Sequence, residues 1–118
     1  MSWDAAALIC QADGASLSDD TPANHDIVMS YGANPWIGAT DRIEEGKWVW
    51  QNGLAVTDFY FRDSNTGISE NSDCLNSNWK GNPGRWQDSK CEERYPFLCK
   101  RGKRTDFKNS IGVCKYCI

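Results

Sequence analysis

Residues 85 to 91 read RWQDSKC. A tryptophan, a carboxamide and a carboxylate stand together just before a cysteine. A Trp beside polar groups is either core or ligand surface, depending on which face each residue occupies. In a strand the side chains alternate, so Trp86 and Asp88 would point one way and Gln87 the other, unless a twist or bulge intervenes. What the rest of the chain builds around this segment decides between the two.

At 118 residues the chain has the length of one domain. It is 40% apolar with six Trp, enough to bury a real core, and its six cysteines are too many for a typical reduced intracellular protein of this size. An oxidising, extracellular home is predicted. No apolar run is long enough to cross a membrane, and the opening MSWDAAALIC lacks the basic and apolar segments of a signal peptide, so a secreted protein would have lost its leader. The net charge of -3 argues against a nucleic-acid partner, and the basic run KRGKRTDFK (100 to 108) reads as a solvated turn.

The first third reads as helical. Trp3, Ala6, Ala7 and Cys10 recur on one face, with Ser2 as cap and Gly14 just past the end. A second helix is signalled by Thr21 as cap, Pro22 at the first helical position, apolar Ile27, Val28 and Tyr31, and Gly32 as terminator. After Asn34 the segments WIGA, KWVW and LAVTDFYF are rich in β-branched and aromatic residues and read as strands, with QNG (51 to 53) as a hairpin turn. From Arg62 to Gly84 the chain reads as one long loop with local turns, in which Cys74 favours a pinned and ordered course. Short strands return at RWQD and YPFLCK, and there is no internal repeat or low-complexity tract.

This combination resembles the C-type lectin-like domain. The resemblance rests on Trp36-Ile37-Gly38-Ala39 for the WIGL core strand, Glu45-Gly46-Lys47-Trp48-Val49-Trp50 for the EGxWxW hairpin and Asp73-Cys74 for DC. Trp86-Gln87-Asp88-Ser89-Lys90-Cys91 stands for WNDxxC and Phe97-Leu98-Cys99 for the closing strand, so the match runs from residue 3 to 101. It implies an α+β fold: two short helices packed on small antiparallel sheets, with a long disulfide-pinned loop. It divides the chain into a lectin-like domain, residues 1–101, and a C-terminal extension, residues 102–118. It also implies the disulfides Cys10 to Cys99 and Cys74 to Cys91, worth about 4.6 and about 3 kcal/mol on chain entropy alone. In the family the Trp of WND supports the loop while the two polar residues after it line the calcium and sugar site, which assigns Gln87 and Asp88 to the site.

The chain also departs from the family pattern. Sugar-binding members carry a Glu/Gln-Pro-Asn/Asp triplet with a cis proline, and there is no proline between Pro35 and Pro83. Arg62-Asp63-Ser64-Asn65 is the nearest equivalent, or Asn65-Thr66-Gly67 if the register slips; a non-proline cis bond costs about 3 kcal/mol, so the turn is expected to be built differently. Ser72 replaces the acid before DC, Gln87 replaces Asn, and Arg62 would repel a cation. The expectation is therefore a carbohydrate site of Arg62, Asp63, Asn65, Gln87 and Asp88, with Trp79, Tyr60 and His25 as candidate aromatic platforms. No cofactor is required on this reading. A residual calcium site, if there is one, would use Asp63, Asn65, Gln87 and Asp88. An amide- and aromatic-lined pocket suits an N-acetylated hexosamine.

Family members normally begin with a strand before the first helix, and without it the edge of the Tyr95 to Arg101 strand would be open and prone to aggregate. FKNSIGV (107 to 113) is predicted to turn back and occupy that place, the alternative being a strand from another chain. Cys114 and Cys117 lie too close to the carboxyl end for a redox pair at a helix N-terminus and predict an inter-chain disulfide, hence a linked homo- or heterodimer. The leading function is a secreted lectin that captures glycans multivalently on cells or microbes, an innate-immune role. The alternative is a lectin-like domain without a sugar site, working in protein binding or the extracellular matrix. One His and no evident catalytic cluster argue against an enzyme.

Overall fold

The computed structural model describes residues 1–61 and 71–101, together with the backbone of 106–109 and 114–115. Helix α1 runs Trp3–Ala12, and Ser2 caps it by accepting a 3.2 Å bond from the Ala5 N–H. Its buried face is Trp3, Ala6 and Cys10, as the spacing predicts. Strand β1 (Ser16–Leu17) follows, and then α2, which is only His25–Met29. The second helix therefore starts three residues later than Thr21 and Pro22 suggest. Asn24 accounts for the shift: its side-chain oxygen accepts from the Thr21 N–H at 2.9 Å and its amide donates to the Asp19 carbonyl at 2.9 Å. This local network holds residues 21–24 as a turn and makes Asn24 the residue before the helix.

Strand β2 (Trp36–Thr40) is the hub of the fold. It pairs antiparallel with β3 (Val49–Trp50) on one side and β4 (Cys74–Asn76) on the other, and β4 pairs with β5 (Gln87–Ser89). Alternation along β2 splits the core in two. Ile37 and Ala39 join Val28, Trp48, Trp50, Val56, Leu75, Trp86 and Leu98, while Trp36 faces the α1 side with Trp3, Ala6, Leu17 and Phe97. Between them Gly38 sits so close to β1 that an added Cβ would lie 2.4 Å from the Leu17 carbonyl oxygen.

Two strand expectations change. Strand β4 lies inside the stretch read as loop: three residues are too few to show a period, and all of them are buried, so no alternation marks them. LAVTDFYF forms no regular strand. After the Gln51–Gly53 turn it makes only single bridges, Val49 with Ala55 and Phe61 with Trp86. The second bridge places the root of the long loop beside the RWQD segment.

The other sheet is ordered β1, β6 (Leu98–Arg101), β7 (Asp106–Asn109) and β8 (Cys114–Lys115). Strand β6 is paired along both edges, with β1 through Leu17↔Cys99 and with β7 from Leu98↔Asn109 to Arg101↔Asp106. Of the segment 107 to 113, residues 110 to 113 lie outside the described residues, as does Cys117. The bridges Cys10–Cys99 and Cys74–Cys91 close loops of 89 and 17 residues. One ties α1 to β6; the other ties β4 to the turn after β5.

Candidate functional site

Trp86 carries no solvent exposure and answers the question posed by RWQDSKC: it is core. Its backbone N–H donates to the Tyr60 carbonyl at 2.8 Å, which fixes the residues that lead into the long loop. Its indole N–H donates to Asp20 Oδ2 at 2.7 Å. Asp20 is itself fully buried, and its other oxygen meets His25 Nδ1 at 2.7 Å. The imidazole lies flat on Tyr60, ring centroids 3.8 Å apart at 12°. Burial pushes the Asp20 carboxyl up from the usual range, against the opposing pull of its bonds to Trp86 and His25.

Beyond Trp86 the strand presents its polar pair. Gln87 is half-buried and opposite Asn76; Asp88 is buried and opposite Leu75. The Gln87 amide bends across the pleat and donates to the Asp88 carbonyl oxygen at 2.9 Å and to Asp88 Oδ1 at 3.0 Å. This bond gathers onto one rim two side chains that strict alternation would separate. Behind them Ser89 Oγ donates to Asn76 Oδ1 at 2.9 Å, and the buried Asn76 amide nitrogen has no acceptor among the described residues.

The predicted site residues fall into four groups. Gln87 and Asp88 are together at the rim. Tyr60 and His25 are together too, but each covers one face of the other, which halves their use as a platform. Trp79 sits apart, in a 3-10 turn (Trp79–Gly81), edge-on to Tyr95 at 6.2 Å. Arg62, Asp63 and Asn65 lie outside the described residues.

Sequence reasoning missed two features. One is Asp20, whose partners are five and 66 positions away. The other is an acidic trio, Asp41, Glu45 and Asp73, each offering an oxygen within 4.8 Å of the others. Asp41 is only 2% exposed. Its Oδ2 accepts from the Gly46 N–H at 2.9 Å, and its Oδ1 is buried with no hydrogen-bond donor among the described residues. Burial first, then the neighbouring Glu45 and Asp73 carboxyls, push Asp41 up to about 8. Three clustered carboxylates with one orphaned oxygen fit a hard, oxygen-seeking cation such as calcium. The signal available in the sequence was an acid just after WIGAT, a second at the start of the EGxWxW hairpin and a third beside Cys74. These lie outside the set of residues expected to bind calcium.

The fold class is thus two short helices and two small antiparallel sheets around a WIG strand, tied by two disulfides, with Tyr60 and Phe61 docked on a buried tryptophan. The Lectin C-type domain profile matches residues 1–101, and the chain belongs to that family. Lectin BRA-3 of Megabalanus rosa is 34% identical over 103 residues, covering 83% of this chain and 64% of its own length. The alpha-N-acetylgalactosamine-specific lectin of Patiria pectinifera is 32% identical over 66 residues, covering 55% of this chain and 39% of its own. The chain thus spans less than two thirds of these relatives. The mouse scavenger receptor C-type lectin carbohydrate-recognition domain superposes with a TM-score of 0.71 at 22% identity, covering 87% of this chain and 84% of that one. Among the described residues no helix is long and apolar enough to cross a membrane.

Proposed function

We propose that this chain is a secreted glycan-binding module that recognises terminal N-acetylated hexosamines through the loop rooted on Tyr60 and Trp86. The observation that carries the reading is the Gln87–Asp88 pair, joined by the 3.0 Å amide-to-carboxylate bond on a strand whose base is fully buried. An amide and a carboxylate held in one geometry lose little freedom on binding, so their hydrogen bonds to sugar hydroxyls are not spent on ordering the site. Arg62, Asp63 and Asn65 of the adjoining loop supply the remaining polar contacts in this reading. The Patiria relative, named for N-acetylgalactosamine, supports the choice of acetamido sugar.

The calcium requirement is weak or nil for sugar contact. A cation held by Asp41, Glu45 and Asp73 would supply charge neutralisation to that trio, and the sugar contacts come from the chain's own donors and acceptors. The role is binding, not catalysis. Single sites are weak, and a dimer linked through Cys114 or Cys117 gains avidity by presenting two; its mass in denaturing electrophoresis halves on reduction.

Calorimetry of the intact protein with N-acetylgalactosamine, in calcium and then in chelator, tests the reading. Binding persists in chelator and weakens about tenfold in Gln87→Ala, the loss of one bond to a well-ordered polar partner. Binding abolished by chelation overturns the metal-independent site. No binding to any acetamido sugar in either buffer overturns the lectin reading and favours the protein-binding alternative.

A further inference from the structure

A second polar cleft lies elsewhere on the domain. It encloses about 350 Å³, a monosaccharide-sized space, and is walled by Ser16 and Leu17 of β1, Asp19, the end of the β3 hairpin from Trp50 to Asn52, and Lys100 of β6. Its hydrogen-bonding chemistry leans toward donors, because the side-chain acceptors of Asp19, Gln51 and Asn52 are already engaged while the Ser16 hydroxyl can act either way. Asp19, the acid in this wall, is held by Lys100 Nζ at 3.0 Å and Asn24 Nδ2 at 3.1 Å on one oxygen, and by Thr21 Oγ1 at 3.3 Å on the other. Gln51 spends its oxygen on the Leu17 N–H at 2.7 Å, and Asn52 spends its own on the Leu54 N–H at 2.9 Å. What these two exposed amides retain are their NH2 groups, which donate.

Trp50 provides the independent observation. Trp3, Trp36 and Trp86 each give their indole N–H to a protein acceptor: the Ile37 carbonyl at 2.9 Å, the Met1 carbonyl at 2.9 Å and Asp20 at 2.7 Å. Trp50 is 7% exposed and lines the cleft, and among the described residues no acceptor meets its indole N–H. A nearly buried indole donor takes its acceptor from whatever occupies the adjoining space.

We propose that this cleft binds the carboxylate or sulfate group of an acidic saccharide through hydrogen bonds from the Trp50 indole and the Gln51 and Asn52 amides, the Lys100 ammonium beside them being balanced by Asp19. Donors on three side chains lining one space, with the Asp19 carboxylate held internally, favour an acceptor-only ligand over a neutral sugar, whose hydroxyls must also donate. Neither Gln87 nor Asp88 lines this cleft, and its binding does not depend on sugar binding at that pair.

The test follows the tryptophan indole resonances of the 15N-labelled intact protein, with methyl β-glucuronide and sulfate as probes at constant ionic strength and methyl β-glucoside as the neutral control. The Trp50 resonance, assigned by Trp50→Phe, shifts saturably with the glucuronide, sulfate or both, while that of Trp86 stays in place; the responding probe tells carboxylate from sulfate. In Gln51→Glu the side chain keeps an oxygen for the Leu17 N–H, so the fold is preserved, but the NH2 donor becomes a negative oxygen and the affinity falls about tenfold or more. Gln87→Ala leaves the response unchanged, which distinguishes this cleft from the loop site. A Trp50 resonance unmoved by both anions, an equal response to the neutral glucoside, or wild-type affinity in Gln51→Glu overturns the proposal.

Discussion

Asp20 is the residue whose role is largest relative to its visibility. A single buried carboxylate accepts from the indole under the loop and from the imidazole beside it, at 2.7 Å each. Asp20→Ala removes the acceptor of the buried Trp86 indole N–H and the partner of His25 Nδ1. The expected loss is about 2 kcal/mol, read by urea denaturation. His25→Phe retains an aromatic face for Tyr60 and loses only the bond, so a smaller loss is expected; equal stability of Asp20→Ala and wild type would contradict the assignment. Nothing in SDDTPANH marks Asp20 above Asp19, since both are acids in a turn. What separates them is that Asp20 is enclosed between elements far apart in the chain, whereas Asp19 stays partly exposed beside Lys100.

At the scale of elements the sequence was read well where a segment packs on one face and poorly where it is enclosed on all sides. Helix α1 shows its period because one side meets water. Strand β4 shows none because Cys74, Leu75 and Asn76 are all buried between β2 and β5. The close approach of the two sheets at Gly38 belongs to this scale too. There the glycine is required by space: its φ is not in the left-handed region, but a methyl would meet a backbone oxygen that cannot swing aside. Gly38→Ala should therefore force β1 away from β2 and stretch the 2.8 Å bond from the Gly38 N–H to the Ser18 carbonyl. The cost is about 2 kcal/mol or more, and amide exchange at that N–H should speed up with it. Unchanged exchange and stability would show that the contact is not tight.

For the whole molecule the acidic trio sets the response to pH. Asp41 titrates near 8 in the folded chain and near the ordinary aspartate value when unfolded, so between those limits the folded state holds the extra proton. Stability is therefore highest at the acid end of that window and falls as pH rises toward 8, and Asp20, also raised, acts in the same direction. Asp4, lowered by its bond to Arg42, acts oppositely but below the window. In chelator the melting temperature should drop between about pH 5 and about pH 8.5, and calcium, which competes with the proton for Asp41, should restore it at the upper pH and do little at the lower. A melting temperature that rises with pH in chelator would refute this. The sequence by itself determined the family resemblance and, through it, the two disulfide pairs and the supporting place of Trp86, because aromatic strand motifs and their spacing to the cysteines are local patterns that survive reading in one dimension. Only the tertiary structure decided that Asp20 serves Trp86, that Asp41 and Asp73 meet, and that Trp50 lines a cleft with Gln51, Asn52 and Lys100. Those are distances between residues remote in the chain, set by how β2 brings the two halves of the core together.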